Sequence, residues 1–298
     1  MNLRRALAGL LLFVFWPWTA GLAGQTFDSG LLWRIEREGV APSYVFGTIH
    51  VSDKRVLDLP RPVTSAFADS NTAVFELLIT PDLEAELARH MMFTDGTRLS
   101  DLVGDELFET TSDVARQYGL IPTVLEMVKP WALVALFSSP PDETMRQSKG
   151  DPVLDAWLQD EARRQDKILI ALEEPNEQID VLEGMAIDEQ IELLRATVEN
   201  KAEVDLTFDQ TLRFYLDRDL AGLEGLLGPD PDIDLDMELL DEFNERLILE
   251  RNDLMAERLL PIVEQGGVFV AVGALHLPGA NGLLQQLSDA GYAVTAVY

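Results

Sequence analysis

Two apolar stretches at opposite ends of this chain, SYVFGTIHV at residues 43–51 and GVFVAVGALH at residues 267–276, share one pattern. Each runs into a glycine, two further residues and a histidine. The chain has 3 histidines among 298 residues, so abundance does not explain the coincidence. Short runs rich in Val, Phe and Tyr and bounded by turn residues read as β-strands. Strands that are apolar throughout are buried, which implies a sheet packed by helices. In open sheets of that kind, ligands collect at the carboxyl ends of the strands. Two such strands side by side would bring both imidazoles to one rim.

The rest of the chain fits that class. LLWRIEREG and SYVFGTIHV, joined by the turn GVAP, read as a β-hairpin. RPVTSAFADS reads as a short helix and TAVFELLI as a buried strand. PDLEAELARHMMF opens with Pro and Asp, a helix start. TRLSDLVGDELFETTSDVARQYGL reads as a short turn and a helix, followed by two helical pieces broken at Lys129-Pro130. Val153, Leu154, Trp157 and Leu158 fall at helical spacing, KILIAL is a strand, and EPNEQIDVLEGM starts a helix. Residues 187–265 are almost wholly helical, with a break at GPDPDID. The chain closes with strand GVFVAVGALH, helix ANGLLQQLSDAG and strand YAVTAVY, expected to form one βαβ unit. The expectation is α/β (α+β): a mixed central sheet built from both chain ends, flanked by helices. Residues 24–298 form a single domain, with a mainly helical insertion at about 187–265.

Charge and composition narrow the function. With 52 acidic and 23 basic residues the formal net charge is −29, which disfavours nucleic acid and anionic lipid. The chain starts with MNLRR, an apolar stretch and then GLAG at residues 21–24, the order of a secretory signal peptide over residues 1–23. Cleavage is expected near Ala23, giving an exported chain, periplasmic or extracellular. The alternative is an uncleaved signal anchor, the only membrane contact expected. The chain has no cysteine, so a metal site would need His, carboxylate and water.

His50 and His276 are the leading candidates, since imidazole serves both as metal ligand and as general base. Each could instead be a hydrogen-bonded core histidine. Glycine three residues earlier, Gly47 and Gly273, allows close backbone approach. Glu76 lies in the apolar run AVFELL, where a carboxylate needs a cation, a proton or a metal, unless it faces solvent from an edge strand. Glu173 and Glu174 end the run KILIAL and could simply favour the helix that starts at Pro175. Asp53 could orient the His50 imidazole or cap a turn. His90, late in a helix, has a weak claim to function. No His-Glu-x-x-His, Gly-x-Ser-x-Gly or phosphate-binding glycine loop occurs.

Taken together, YVFGTIHVSD, VFEL, GDPVLD, ALEEPNEQI, ERNDLMAERL and VFVAVGALHLPGANGLLQQLSDAGYAV resemble the TraB/GumN family. That family includes Tiki-type proteases and is distantly similar to erythromycin-esterase and ChaN-like proteins. The resemblance covers about residues 28–298. It matches His50 and His276, with Gly47 and Gly273, to the family's two Gly-x-x-His motifs. It matches Glu76, Glu173, Gln178 and the pair Arg251-Asn252 to the family's acidic, Leu-Glu, Gln and Arg-Asn positions. It implies a divalent ion, manganese or cobalt with zinc as a further option, held by His50, His276 and Glu76. GDPVLD departs from the family pattern and leaves Asp151 and Asp155 as alternatives for one role.

The expected function is an exported metallohydrolase acting on peptide or protein substrates. Glu76 or Glu173 would take the proton of a metal-bound water, and Arg251 would stabilise the oxyanion. A metal-free, esterase-like hydrolase using one histidine as base is the alternative. A binding protein for a peptide, or one linked to polysaccharide export, is a third reading.

Overall fold

The computed structural model describes residues 27–228 and 236–298. The expected signal peptide and its cleavage point lie outside the described residues, as does most of the GPDPDID break. The strands are β1 (Leu32–Glu36), β2 (Ser43–Thr48), β3 (Thr72–Phe75), β4 (Ile168–Ala171), β5 (Val268–Gly273) and β6 (Ala293–Ala296). They form one sheet in the order β4-β3-β5-β2-β1-β6. β4, β3, β5 and β2 pair in parallel, while β1 is antiparallel to both β2 and β6. The fold is mixed α/β, its sheet drawing strands from both chain ends and its faces covered by helices.

Burial explains the strand sequences. Val268, Phe269, Val270, Ala271 and Val272 of β5 are all buried, because β5 has a neighbour on each side and helices on both faces. β1 lies nearer the edge and mixes buried Leu32, Trp33 and Ile35 with partly exposed Arg34 and Glu36. The first hydrophobic core surrounds the sheet, with Phe46, Phe67 and Phe269 in contact through their rings. A second core lies among helices, joining Leu99, Leu107, Leu133 and Phe137 to Leu194 and Val198. The helix Ile187–Glu199 thus shares a core with helices that precede β4, so the helical region is not confined to residues 187–265.

Two expectations need correction. The last two strands do not form an adjacent βαβ unit: the hairpin β1–β2 lies between β5 and β6. β6 is short and mostly exposed, with Val294 its one buried position, and it serves as an edge beside β1. The second apolar run also stops short of its histidine. β5 ends at Gly273, and Ala274–His276 form a single 3₁₀ turn.

Candidate functional site

β2 and β5 are parallel neighbours, with Gly47 opposite Val272 and Thr48 opposite Gly273. The two Gly-x-x-His stretches therefore lie side by side, one residue out of step, with both histidines beyond the carboxyl ends. Gly47 has a steric reason to be glycine. A Cβ there would meet Leu277 Cδ1 at 2.9 Å and Ala274 Cα at 3.1 Å. Its bare backbone lets the turn that carries His276 lie against β2. Gly273 is packed less tightly, its nearest neighbour being Glu76 Oε1 at 3.2 Å from a would-be Cβ.

The imidazoles meet different surroundings. The His50 side chain is 67% exposed, and its Nδ1 lies 2.9 Å from Asp155 Oδ2. Thr48 Oγ1 donates to the other Asp155 oxygen at 2.7 Å. Asp155 is in the first turn of the helix Leu154–Arg164, so the GDPVLD stretch sets a carboxylate under the rim. The loop after His50 is tied down by the Ser52 N–H, which donates to the fully buried Glu143 at 2.7 Å.

His276 is 4% exposed, and its Nδ1 lies 2.7 Å from Asn252 Oδ1. Asn252 Nδ2 donates to the Asn281 carbonyl at 3.0 Å. The amide must then show its oxygen to the imidazole, which puts the ring proton on Nδ1 and leaves a lone pair on Nε2. That Nε2 lies 3.8 Å from Glu76 Oε1.

Glu76 lies one residue beyond β3 and is fully engaged. Its Oε1 accepts the Gly273 N–H at 2.5 Å. Its Oε2 accepts from Arg251 at 2.9 Å and from Gln178 at 3.3 Å. Arg251 also grips Glu173 in a bidentate pair, at 2.7 and 2.8 Å, and donates to the Leu247 carbonyl at 3.0 Å. Gln178 bridges to Glu173 at 2.8 Å. Two buried carboxylates thus share one guanidinium, which meets the requirement that buried charge be paired.

These surroundings shift the protonation equilibria in opposite directions. The Asp155 carboxylate raises the His50 imidazole to about 9, against the effect of desolvation. Burial lowers His276 to about 4, although the Glu76 carboxylate opposes it. Burial would raise Glu76, but His276, Arg251, His50 and the Gly273 N–H outweigh it and hold the carboxyl at about 2. At neutral pH this describes a cationic His50, a neutral His276 and an ionised Glu76.

His50, His276, Glu76, Gln178 and Arg251 open on one cavity of about 320 Å³. Asn252 supports His276 from behind. Glu173 is not among the cavity walls and serves as the partner of Arg251. Asp53 does not orient His50: it caps the helix Lys54–Leu57 and pairs with Arg55 at 2.7 Å. Asp155 reaches the ring instead, from a separate helix. Between Asp151 and Asp155, it is Asp155 that joins the rim. Thr48, Glu143 and Tyr215, whose hydroxyl donates to the Gly47 carbonyl at 3.0 Å, were not legible as site residues. Glu143 in particular lies in PPDETMRQ, which reads as a solvated helix start. His90 is remote from the rim and pairs with Glu183 at 2.6 Å.

Among the described residues, no three His, Asp or Glu side chains are grouped so as to hold a metal ion. The two Nε2 atoms are free, but both Glu76 oxygens are taken and the Arg251 charge stands beside them. In this arrangement the residues do not form a three-ligand site.

A profile of the TraB/PrgY/gumN family matches residues 31–296. The chain is 29% identical to "Metalloprotease TIKI1" of Xenopus tropicalis, over 91% of this chain and 62% of the relative. It is 28% identical to "Metalloprotease TIKI1" of Homo sapiens, over 91% of this chain and 62% of that protein. It is 25% identical to "Metalloprotease TIKI homolog" of Nematostella vectensis, over 92% and 68% respectively. The chain thus spans about 62% of the length of the vertebrate proteins, which extend well beyond it. No solved structure matches it significantly. The match covers nearly the whole described chain: the chain belongs to the TraB/PrgY/gumN family.

Proposed function

We propose that this chain is a hydrolase of acyl bonds, peptide or ester, whose acid and base are His50 and His276. The observation that carries this reading is the pair of imidazoles on one cavity, each tied at Nδ1 and free at Nε2. His276 Nε2 takes a proton from water as the oxygen attacks the carbonyl carbon. The imidazolium so formed lies beside the Glu76 carboxylate, which stabilises it at 3.8 Å. His50, kept protonated by Asp155, gives its proton to the departing amine or alkoxide as the C–N or C–O bond breaks. Opposed environments for two titratable groups are what such a division of labour requires. Arg251 pairs with both Glu76 and Glu173 and holds Glu76 in place, a positioning role. A peptide substrate is the choice that the relatives' names favour. Export, to the periplasm or outside the cell, is part of the proposal and rests on the order of residues 1–23.

The test is hydrolysis of peptide and ester probes by protein purified without a histidine tag, in the presence of a chelator. Activity that survives chelation and is lost in His276→Gln supports the proposal. Full activity of a His50→Ala, His276→Ala double variant overturns it. A second reading, metal-dependent proteolysis, is favoured by the relatives' names. It requires Glu76 to part from Arg251. Loss of activity on chelation, restored by manganese, cobalt or zinc, would select it.

A further inference from the structure

The imidazole rim does not close the cleft on one side. Beyond its polar edge the first cavity is walled by Val181, Leu182, Leu223, Leu247 and Ile248. A second cavity, of about 420 Å³, is walled by Val51, Val204, Thr207 and Phe208. The two share Ile49, His50 and Thr211, so His50 borders both.

The helix Lys201–Asp217 runs along both. Val204, Thr207, Phe208 and Thr211 follow the three- and four-residue spacing of one helix face, and Tyr215 continues it into the first cavity. From Val204 to Tyr215 the helix rises about 16 Å, the length of roughly five residues of extended chain. The walls on either side of the reacting centre are mainly apolar. Of their charged groups, Glu76 is paired with Arg251 and His50 with Asp155. The formal net charge of −29 disfavours an anionic ligand.

We infer that the cleft takes an extended, uncharged or basic peptide with an apolar side chain on each side of the bond to be cut. This rests on the reading of the imidazole rim as a reacting centre. One apolar side chain enters the cavity beside Leu182, the other the cavity beside Phe208.

The test uses an internally quenched peptide with Leu-Phe at its centre and two versions in which Asn replaces either residue. Each replacement is expected to lower kcat/KM at least about tenfold. Phe208→Asn should abolish the preference on one side and Leu182→Asn the preference on the other, each leaving the opposite preference in place. Calorimetry with the same sequences, N-methylated at the central amide, reads binding apart from cleavage. Equal kcat/KM for all three peptides would overturn the cleft assignment and leave the hydrolase reading standing. Selective binding of the Leu-Phe peptide with no cleavage of any would do the reverse. Indifferent binding with no cleavage would overturn both.

Discussion

The ends of β2 and β5 carry the same four-residue pattern, yet they place their histidines in opposite settings. His50 is largely open to solvent beside a carboxylate, while His276 is buried beside an amide. An ionised partner favours the imidazolium, and a neutral partner in a dry site favours the free base. The local sequence sets only the strand end and the close approach. What differentiates the pair comes from elsewhere: Asp155 from one helix, Asn252 from another, Glu76 from just beyond the end of β3. A repeated motif can thus supply two unlike halves of one site.

The comparison can be broken most forcefully at the buried half. His276→Gln should lower turnover by about 10²–10⁴-fold, the range for loss of a general base, as read by steady-state kinetics on the quenched peptide. The cluster behind it should be nearly as sensitive in stability. Arg251→Met leaves Glu76 and Glu173 without their cation and should destabilise by about 3–5 kcal/mol in urea unfolding. The two glycines should also differ. Gly47→Ala forces the His276 turn off β2 and should destabilise by about 1–3 kcal/mol, whereas Gly273→Ala should cause a smaller loss, both by the same unfolding assay.

The subtlest contrast is in pH. His276 has its pKa lowered to about 4, so the unfolded chain binds the proton first, and stability falls as pH drops below 6.5 towards 4. His50 has its pKa raised to about 9, so its contribution is complete below 6.5 and is lost as pH rises towards 9. Asp155→Asn should flatten the alkaline limb alone. That effect should stay below about 1 kcal/mol, because solvent screens an exposed pair. Asp53→Ala should lose a helix cap, about 1 kcal/mol, and leave both limbs unchanged. Thermal melts across pH read all of these.

The strands and the rim were legible because both depend on short-range patterns. Apolar runs mark β2, β3 and β5, and a Gly-x-x-His stretch marks where β2 and β5 end. Glu76 stood out because a carboxylate in AVFELL has to be paired. The partners were legible only where the family resemblance supplied them. Proximity in sequence favoured Asp53, but helix geometry brings Asp155 to His50 across 105 residues. The Arg251–Glu173 pair spans 78 residues, and on its own helix Arg251 reads as a surface charge. β6 shows the same limit: a strand–helix–strand spacing does not reveal that a hairpin occupies the place between.

The central claim is that two histidines with one motif hold opposite protonation states. With 3 histidines in the chain, ¹H–¹⁵N correlation NMR of ¹⁵N-histidine-labelled protein can follow each ring through pH, with and without added zinc. The account predicts a His276 ring that stays neutral and Nδ1-protonated between pH 5 and 9, and a His50 ring that loses its proton well above 6.5. Without zinc, both rings titrating together near 6.5 would contradict it. So would both Nε2 signals shifting at once when one equivalent of zinc is added.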